Sequence, residues 1–285
     1  MHDKYPHLFS PIRIGGLVIK NRIEASPIAI PNDSPEFASM ENMVSYELRA
    51  RSGAGLVVHE EMAVSKLADN GSGPTFADTA LALQDIMKES EAVHRYGAIS
   101  SVSLTHHGGW NTLSVAPDGK LYAPSAFKNP YGIMTTEMTE DIMFELIEAY
   151  ARAAEMAQYG GHDMVQIHGA HGWLLSQFMS PLYNHRTDKY GGSLENRARF
   201  PLMIVDAIRK RCPKLPIEYR FSANDFMEGG FGPEEGIEFA KMLDGKVDLI
   251  HITSSSFFDP SCGKLFPSMF TERGVNIPLA ASIKA

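Results

Sequence analysis

The stretch Val165–Phe200, VQIHGAHGWLLSQFMSPLYNHRTDKYGGSLENRARF, joins a short apolar segment to the start of a long amphipathic one. The apolar segment ends at His168, and a helical pattern begins after Ser193, a residue type that often caps helices. A strand followed by a helix is the repeating unit of parallel α/β sheets. We therefore predict a βα unit whose strand ends at His168.

The same alternation of apolar and amphipathic segments extends along the chain in both directions. We predict strands, rich in Val and Ile as strands buried on both faces are, at Arg22–Ile30, Gly55–Glu60, Ala98–Leu104, Asp163–His168, Pro216–Ser222 and Val247–Ser254. We predict helices at Met40–Arg51, Asp78–Tyr96, Glu140–Tyr159, Gly191–Arg211 and Glu234–Leu243, with a further helix beginning in Ile277–Ala285. Strands that alternate with helices indicate a parallel sheet.

Such units close as a barrel or form an open, doubly wound sheet. No GxGxxG motif follows the first predicted strand, which weighs against a dinucleotide-binding sheet. We therefore predict a TIM (β/α)8 barrel of the α/β class, forming one domain over residues 1–285 with about six βα units present. Strands seven and eight are not found, so we expect the domain to be incomplete at its C-terminus.

Composition excludes several classes of protein. The net charge of −8 shows no basic patch of the kind that binds nucleic acid. Cys212 and Cys262 are too few for a disulfide scaffold or an iron–sulfur cluster and suggest a reducing compartment. The N-terminus does not resemble a signal peptide, and no apolar stretch approaches the roughly 18 to 20 residues that span a bilayer. We expect a cytoplasmic protein with no membrane partner, and a homo-oligomer is possible.

His168 and His171 lie where a barrel places its active site, at the carboxyl end of a strand. Three interpretations are open on these residues alone. The pair could bind a metal, although its spacing in a glycine-containing loop is not that of a helical zinc motif. The histidines could be structural, bonded to a neighbouring loop. They could also donate hydrogen bonds to one substrate oxygen and stabilise negative charge that develops there.

The opening stretch resembles the signature of the Old Yellow Enzyme family, the FMN-dependent ene-reductases, in its enoate-reductase-like branch. The resemblance is carried by Arg186–Asp188, Tyr190–Ser193 and Glu195–Arg197. LFSPIRIGGLVIKNRIEASPIA, Leu8–Ala29, resembles the first strand of the family, and YRFSANDF, Tyr219–Phe226, resembles the fifth. The ordered set covers essentially the whole chain, and it implies a TIM barrel with FMN at its C-terminal face.

The resemblance also implies a role for individual residues. The segment Ser26, Pro27, Ile28 and Ala29 is expected to run along the flavin ring, and Ser103 to lie at its pyrimidine edge. Arg220 is expected beside the N1 and C2 carbonyl edge, where a fixed cation stabilises anionic reduced flavin. His168 and His171 would bind the carbonyl oxygen of an α,β-unsaturated substrate, whose β-carbon accepts hydride from the flavin. NADH or NADPH would reduce the flavin again, and the Arg186–Arg197 segment would support the histidines through its own ion pairs.

The sequence departs from the family pattern around this expected site. Trp173 stands where the family has a tyrosine that protonates the substrate, and an indole N–H is not a useful acid. His107, Tyr122 and Tyr183 are candidate replacements for that proton donor.

Four further positions differ in residue type. Ser103 replaces a glutamine and Gly109 an arginine of the family pattern. Ala29 replaces a Thr or Cys that tunes the flavin, and Glu61 stands where small residues are common.

The sequence leaves the substrate open. The segment Gly108–Thr136, rich in Gly, Pro, Tyr and Asn, is predicted to be a rim loop that selects the substrate. Alternatives to an ene-reductase are an amine dehydrogenase of the same fold, a flavin-binding protein with weak or no turnover, and a metal-dependent hydrolase. The amine enzymes carry a tyrosine where His168 stands, so His168 favours the unsaturated carbonyl substrate. An iron–sulfur cluster and FAD are expected only if the chain continues beyond Ala285.

Overall fold

The structure is a computed structural model and describes residues 4–28, 40–65, 80–111, 118–257, 262–265, 268–270 and 272–285. Its principal feature is a six-stranded sheet in which all strands are parallel. In spatial order the strands are β3 (Glu24–Ala25), β4 (Leu56–Ala63), β5 (Ile99–Thr105), β8 (Met164–Gly169), β9 (Ile217–Ser222) and β10 (Leu249–Thr253). Spatial order and chain order therefore coincide, as in a barrel and not in a doubly wound sheet.

The sheet curls so that its two edge strands approach one another. His251 Nδ1 on β10 lies 3.1 Å from Glu24 Oε1 on β3, although four strands separate β10 from β3 in the sheet. A flat sheet would hold these strands more than 20 Å apart at the usual spacing of about 4.8 Å. The prediction of an α/β barrel with six βα units is confirmed as a curled half-barrel.

Helices on the outside follow the strands. They are α1 (Met40–Arg51), α2 (Ala80–His94), α3 (Glu140–Tyr159), α5 (Leu194–Arg211), α6 (Pro233–Leu243) and α8 (Ile277–Lys284). The Thr139 hydroxyl caps α3 by accepting from Ile142 N, and the Ser193 hydroxyl caps α5 by accepting from Asn196 N. Both caps satisfy first-turn N–H groups that have no partner within the helix, which is why these helices begin where the sequence predicts.

The hydrophobic core lies between the strands and these helices. The inner face of α3 buries Met143, Leu146, Tyr150, Ala154 and Ala157, the stripe expected from helical periodicity. The outer face of the strands supplies the matching apolar layer, so that six positions of β8 are fully covered. This packing fixes the strands rigidly and holds their carboxyl ends in register.

Several short elements are absent from the sequence prediction. A hairpin of β1 (Ile12–Ile14) and β2 (Leu17–Ile19) precedes the sheet, and α4 (Leu174–Met179) and α7 (Cys262–Leu265) are single turns or little more. The predicted rim loop also contains β6 (Tyr122–Ala123), paired in parallel with β7 (Thr136–Glu137) at its end. Among the described residues no helix is both long and apolar enough to cross a membrane.

Candidate active site

The register of the sheet aligns two rows of polar side chains. The lower row runs across four strands through Glu61, Ser103, Gln166 and Glu218. The upper row runs across three strands through His168, Arg220 and His251. Residues paired in parallel register point to the same face, so these side chains meet inside the curl at the carboxyl ends of the strands. This is the end at which (β/α) barrels carry their active sites.

His168 has a defined hydrogen-bonding role. Its Nδ1 accepts from the backbone N–H of Ala170 at 3.3 Å, which leaves the proton on Nε2. Its Nε2 lies 2.9 Å from Oε1 of Glu61 and therefore donates to that carboxylate. Burial lowers the pKa of His168 in spite of the neighbouring carboxylate, so the imidazole is neutral near pH 7.

The backbone of His171 is held by contacts with β9 and with the segment that follows β10. Its N–H donates to the Ser222 hydroxyl at 3.0 Å, and its carbonyl accepts from Phe257 N at 3.1 Å. Its ring meets the His168 ring edge to face, with centroids 4.9 Å apart. Nε2 lies 3.1 Å from the Thr253 hydroxyl, and Nδ1 has no hydrogen-bond partner among the described residues. Burial lowers the pKa of His171 well below its usual range.

Glu61 is the centre of the hydrogen bonding beside these histidines. Its Oε1 accepts from His168 Nε2 at 2.9 Å and from Trp173 Nε1 at 3.0 Å, and its Oε2 lies 2.8 Å from His107 Nε2. Burial raises the pKa of the Glu61 carboxyl, but His168 and His107 outweigh that effect, and its pKa lies well below the usual range. We call Glu61, His107, His168 and Trp173 the Glu61 cluster; its carboxylate is ionised at neutral pH.

The lower row continues as a chain of hydrogen bonds beneath this cluster. The Ser103 hydroxyl donates to Gln166 Oε1 at 3.0 Å, and Gln166 Nε2 donates to Glu218 Oε1 at 2.8 Å. His251 Nδ1 lies 2.8 Å from the same Glu218 oxygen. Burial lowers the pKa of His251, but hydrogen bonds to Glu218 and Glu24 outweigh it and raise the pKa to about 9.

A match to a protein-family model identifies the family of this chain. Residues 7–260 match the profile described as the NADH:flavin oxidoreductase / NADH oxidase family. The chain belongs to this family. The match covers most of the chain, including every strand of the sheet.

Curated relatives of this chain carry names that agree with the family. The chain is 37% identical over 289 residues to an NADH oxidase of Thermoanaerobacter brockii, an alignment covering 98% of this chain and 44% of the relative. It is 34% identical over 283 residues to an NADPH dehydrogenase of Geobacillus sp. (strain WCH70), an alignment covering 97% of this chain and 79% of the relative. It is 31% identical over 310 residues to a cinnamate reductase of Clostridium sporogenes, covering 100% and 46%. The chain thus spans less than half the length of the first and third of these relatives.

Solved structures of similar proteins share the fold of this chain. A 2-naphthoyl-CoA reductase structure superposes with a TM-score of 0.86 at 28% identity, over 98% of this chain and 45% of that one. A morphinone reductase in complex with tetrahydroNAD superposes with a TM-score of 0.77 at 27% identity, over 98% of this chain and 79% of that one. The family resemblance inferred from the sequence is confirmed, and with it the dependence of the family on FMN and NAD(P)H.

The residues present fit an anionic cofactor edge at the strand ends. Arg220 lies in the upper row beside His168, and its Nε is buried without a hydrogen-bond partner among the described residues. Leaving such a donor without a partner is costly, so the guanidinium is positioned for a ligand that accepts hydrogen bonds. Burial lowers the pKa of Arg220, yet arginine remains charged in proteins, so the group presents a cation there.

The other residues predicted to contact the cofactor lie after β3 and on β5. Ser26 follows β3, and its hydroxyl donates to Glu24 Oε1 at 3.2 Å, while Ile28 is exposed. Ser103 is fully buried, and its hydroxyl donates a hydrogen bond to Gln166. Pro27 lies between Ser26 and Ile28, and Ala29 lies outside the described residues.

The candidate proton donors differ in their surroundings. His107 belongs to the Glu61 cluster and stands edge to face against the Trp173 ring, with centroids 4.3 Å apart. The Tyr122 hydroxyl donates to Asp118 at 2.6 Å, which raises its pKa to about 12. Tyr183 packs against Trp110, with ring centroids 5.2 Å apart. Of the three, only His107 lies in direct contact with the residues around His168.

The Arg186–Arg197 segment forms buried ion pairs and backbone hydrogen bonds. Arg186 pairs with Asp188 at 2.5 Å and donates to the carbonyls of Pro124 at 3.0 Å and Met138 at 2.8 Å. Arg197 pairs with Glu235 of α6, outside the segment. Glu195 lies in the exposed first turn of α5.

Metal ligation at the histidine pair has no support in the described part of the chain. Two groups of side chains there come close enough to share an ion, and neither includes His168 or His171. They are His59, Glu89 and His162 on the outside of the sheet, and Glu24, Glu218 and His251 within the curl.

Sequence reasoning missed the importance of Glu61 and Gln166. The residue type of Glu61 is unusual at its position, but neither it nor Gln166 belongs to a local motif that marks a site. Strict alternation along β4 would place Glu61 on the same face as His59, on the outside of the sheet. A bulge between these two residues turns Glu61 inward instead, and the sequence carries no signal of that bulge. The contact with Trp173 spans 112 residues and has no local sequence signal.

Proposed function

We propose that this chain is the FMN-binding barrel domain, residues 1–285, of an oxidoreductase that reduces α,β-unsaturated carbonyl compounds. Hydride would pass from reduced flavin to the β-carbon of the substrate, and NADH or NADPH would reduce the flavin again. The observation that supports it best is the pair of neutral imidazoles at the end of β8, level with an unpaired Arg220. The similarity to a cinnamate reductase and a morphinone reductase supports this chemistry.

His171 is proposed to donate the hydrogen bond to the substrate carbonyl. We propose that the Thr253 hydroxyl donates to Nε2, 3.1 Å away, and so keeps the proton of His171 on Nδ1, which has no hydrogen-bond partner among the described residues. A neutral N–H aimed at the carbonyl oxygen stabilises negative charge there as hydride arrives at the β-carbon. His168 would donate a second hydrogen bond to the same substrate oxygen, and its Nε2 would then leave the Glu61 carboxylate that it contacts in this structure.

Arg220 is proposed to hold the electron-rich edge of the cofactor. FMN, when bound, supplies the hydride, and a fixed cation at its pyrimidine edge favours the reduced, anionic form. Ser26, Pro27, Ile28 and Ala29 are proposed to contact the ring through the segment after β3. Ser103 contributes through Gln166, because its own hydroxyl already donates to that side chain.

Location and partners follow from the proposed chemistry. We propose a cytoplasmic enzyme, since NADH and NADPH are the proposed electron donors. The proposed partner is a small unsaturated carbonyl compound, with nucleic acid and membranes excluded, and a homo-oligomer is compatible with the fold.

Anaerobic turnover tests the proposed function. We expect the purified, FMN-loaded protein to oxidise NADH or NADPH when cinnamaldehyde or a cyclic enone is added, with formation of the saturated product. Bound flavin without any enone-dependent oxidation would contradict the proposal and support a flavin-binding role. Reduction of the flavin by an amine in the absence of NAD(P)H would contradict it in favour of an amine dehydrogenase.

A further inference from the structure

Two N–H groups of the Glu61 cluster converge on a single oxygen. His168 Nε2 and Trp173 Nε1 lie 2.9 and 3.0 Å from Glu61 Oε1. Two donors at this distance define a position that favours a negatively charged oxygen. In this structure a carboxylate of the protein holds that position, so an oxygen of a ligand reaches His168 only by displacing Glu61.

The carboxylate is also the most accessible member of the cluster. The side chain of Glu61 is 26% exposed, whereas those of His168 and His107 are 1% and 4% exposed. A molecule that enters from the carboxyl ends of the strands therefore meets the Glu61 carboxylate before it meets the ring nitrogen of His168.

Arg220 attracts the Glu61 carboxylate electrostatically, but it does so from a distance and not through a direct contact. The donors to Glu61 include the neutral indole of Trp173 and the neutral imidazole of His168. Within the described ranges no lysine or arginine forms a salt bridge with it, and Arg220 makes no hydrogen bond to it. An ionised, poorly hydrated carboxylate of this kind is stabilised by an added positive charge.

The carboxylate retains one acceptor site for a ligand. Ionised glutamate offers about four lone-pair positions. Two donors contact Oε1 and one contacts Oε2, so that one position on Oε2 remains. A protonated nitrogen of a ligand satisfies both this acceptor position and the charge, whereas a phenolate or carboxylate oxygen is repelled by it.

We propose that Glu61 forms a subsite for a protonated nitrogen, so that the substrate is an unsaturated carbonyl compound that also carries an amino or amidino group. This inference rests on the proposed flavin site, because it concerns the molecule that binds above the same strand ends. It assigns Glu61 as the residue that determines which substrates bind, and it leaves hydride transfer to the cofactor.

Calorimetric titration of the FMN-loaded protein with two ligands of matched shape tests the subsite. Benzylamine is protonated near pH 7, and benzyl alcohol is its neutral counterpart. We expect the wild-type protein to bind benzylamine at least about tenfold more tightly, the factor that one charge-assisted hydrogen bond supplies. Equal affinity for the two ligands, or a preference for the alcohol, would overturn the proposal without any variant.

The variant Glu61→Gln removes the charge and keeps the shape of the side chain. We expect it to lose the preference for benzylamine and to bind the phenolate of 4-hydroxybenzaldehyde at least about threefold more tightly. The matched control is Glu145→Gln, which removes one exposed carboxylate on the outer face of α3 and should change neither affinity. An unchanged benzylamine preference in Glu61→Gln would refute the assignment.

Failure of this inference is distinguishable from failure of the proposed function. A protein that binds FMN and reduces enones but shows no cation preference would retain the function and lose the subsite. A protein that binds no FMN would lose the function, whatever its affinity for benzylamine.

Discussion

His171 occupies a backbone conformation that few histidines adopt, with φ at 62°. Gly172 follows with φ at 82°, and a Cβ there would lie 2.3 Å from the Ser256 hydroxyl, so only glycine fits. Left-handed conformations of residues other than glycine are uncommon and persist where surrounding contacts impose them. Here the contacts from Ser222 and Phe257 impose the conformation, and they aim the ring toward His168.

Removal of either imidazole should weaken binding of enone and phenol ligands. We expect His171→Ala and His168→Ala each to cost at most about 3 kcal/mol of binding free energy, the upper range for a lost charge-assisted hydrogen bond. Titration of the FMN-loaded variants with 4-hydroxybenzaldehyde measures the change. The control is His94→Ala, which alters a half-exposed histidine paired with Asp163 far from the site. Unchanged affinity and turnover in both variants would remove these histidines from the mechanism.

Trp173 provides a second test at the scale of one residue. Its indole donates to Glu61 and stacks on Phe257, with ring centroids 5.3 Å apart, but it has no proton to release near neutral pH. We expect Trp173→Tyr to raise the rate of enone reduction, because a phenol can protonate the α-carbon. Trp173→Phe is the matched control, since it keeps an aromatic ring without an acid. A lower rate in Trp173→Tyr would show that the indole shapes the pocket or that another acid, such as His107, already serves.

The part of the site that sequence could predict is the part with local motifs. His168 and Arg220 lie near the carboxyl ends of strands with a recognisable apolar pattern, and His171 lies just beyond one, so that their common location followed from the barrel. The role of Glu61 depends on contacts with His107, His168 and Trp173, which lie 46 or more residues away. No local pattern encodes such contacts, and only the curl of the sheet brings these side chains together.

Helices and strands can be predicted from sequence where hydrophobic periodicity and capping residues lie within the element itself. The helices α1 and α3 begin and end at the residues expected. For α3 the reason is local, because Thr139 and Gly160 cap its two ends. The helix α4 was missed because its six residues are buried all round and show no amphipathic pattern. The β1–β2 hairpin was missed because strands of three residues carry too little alternation to recognise.

Arg186 connects the rim loop to the segment that follows α4. Its guanidinium donates to two backbone carbonyls and pairs with Asp188, and its side chain is almost fully buried. We expect Arg186→Ala to lower the free energy of unfolding by about 2 to 3 kcal/mol, because buried acceptors lose their donor. Urea unfolding measures the change against Arg152→Ala, which removes an exposed arginine of α3. A loss no larger than that of the control would contradict this role.

At the scale of the whole molecule, His251 joins the two edges of the sheet. It contacts Glu24 of β3 and Glu218 of β9, and these contacts raise its pKa to about 9 from an ordinary 6.5. A group whose pKa is raised by folding stabilises the folded state fully below the unfolded pKa. That contribution is lost as the pH rises through the folded pKa.

The free energy of unfolding should therefore fall between pH 6.5 and 9, the two pKa values of His251. We expect His251→Gln to be less stable than the wild type at pH 6 and to show a smaller decrease over this range. Urea unfolding at a series of pH values measures both slopes. Identical slopes in the two proteins would show that His251 does not link the edges of the sheet through its charge.

Binding of FMN beside Arg220 is the claim on which the account depends, and an equilibrium titration of flavin-free protein with FMN tests it most directly. We expect a yellow complex with one FMN per chain and a thermal midpoint that rises with FMN concentration, because a ligand that binds only the folded state stabilises it. Arg220→Ala should weaken the affinity about tenfold or more, and Arg152→Ala should not. A colourless protein whose thermal midpoint does not change with added FMN would contradict the account.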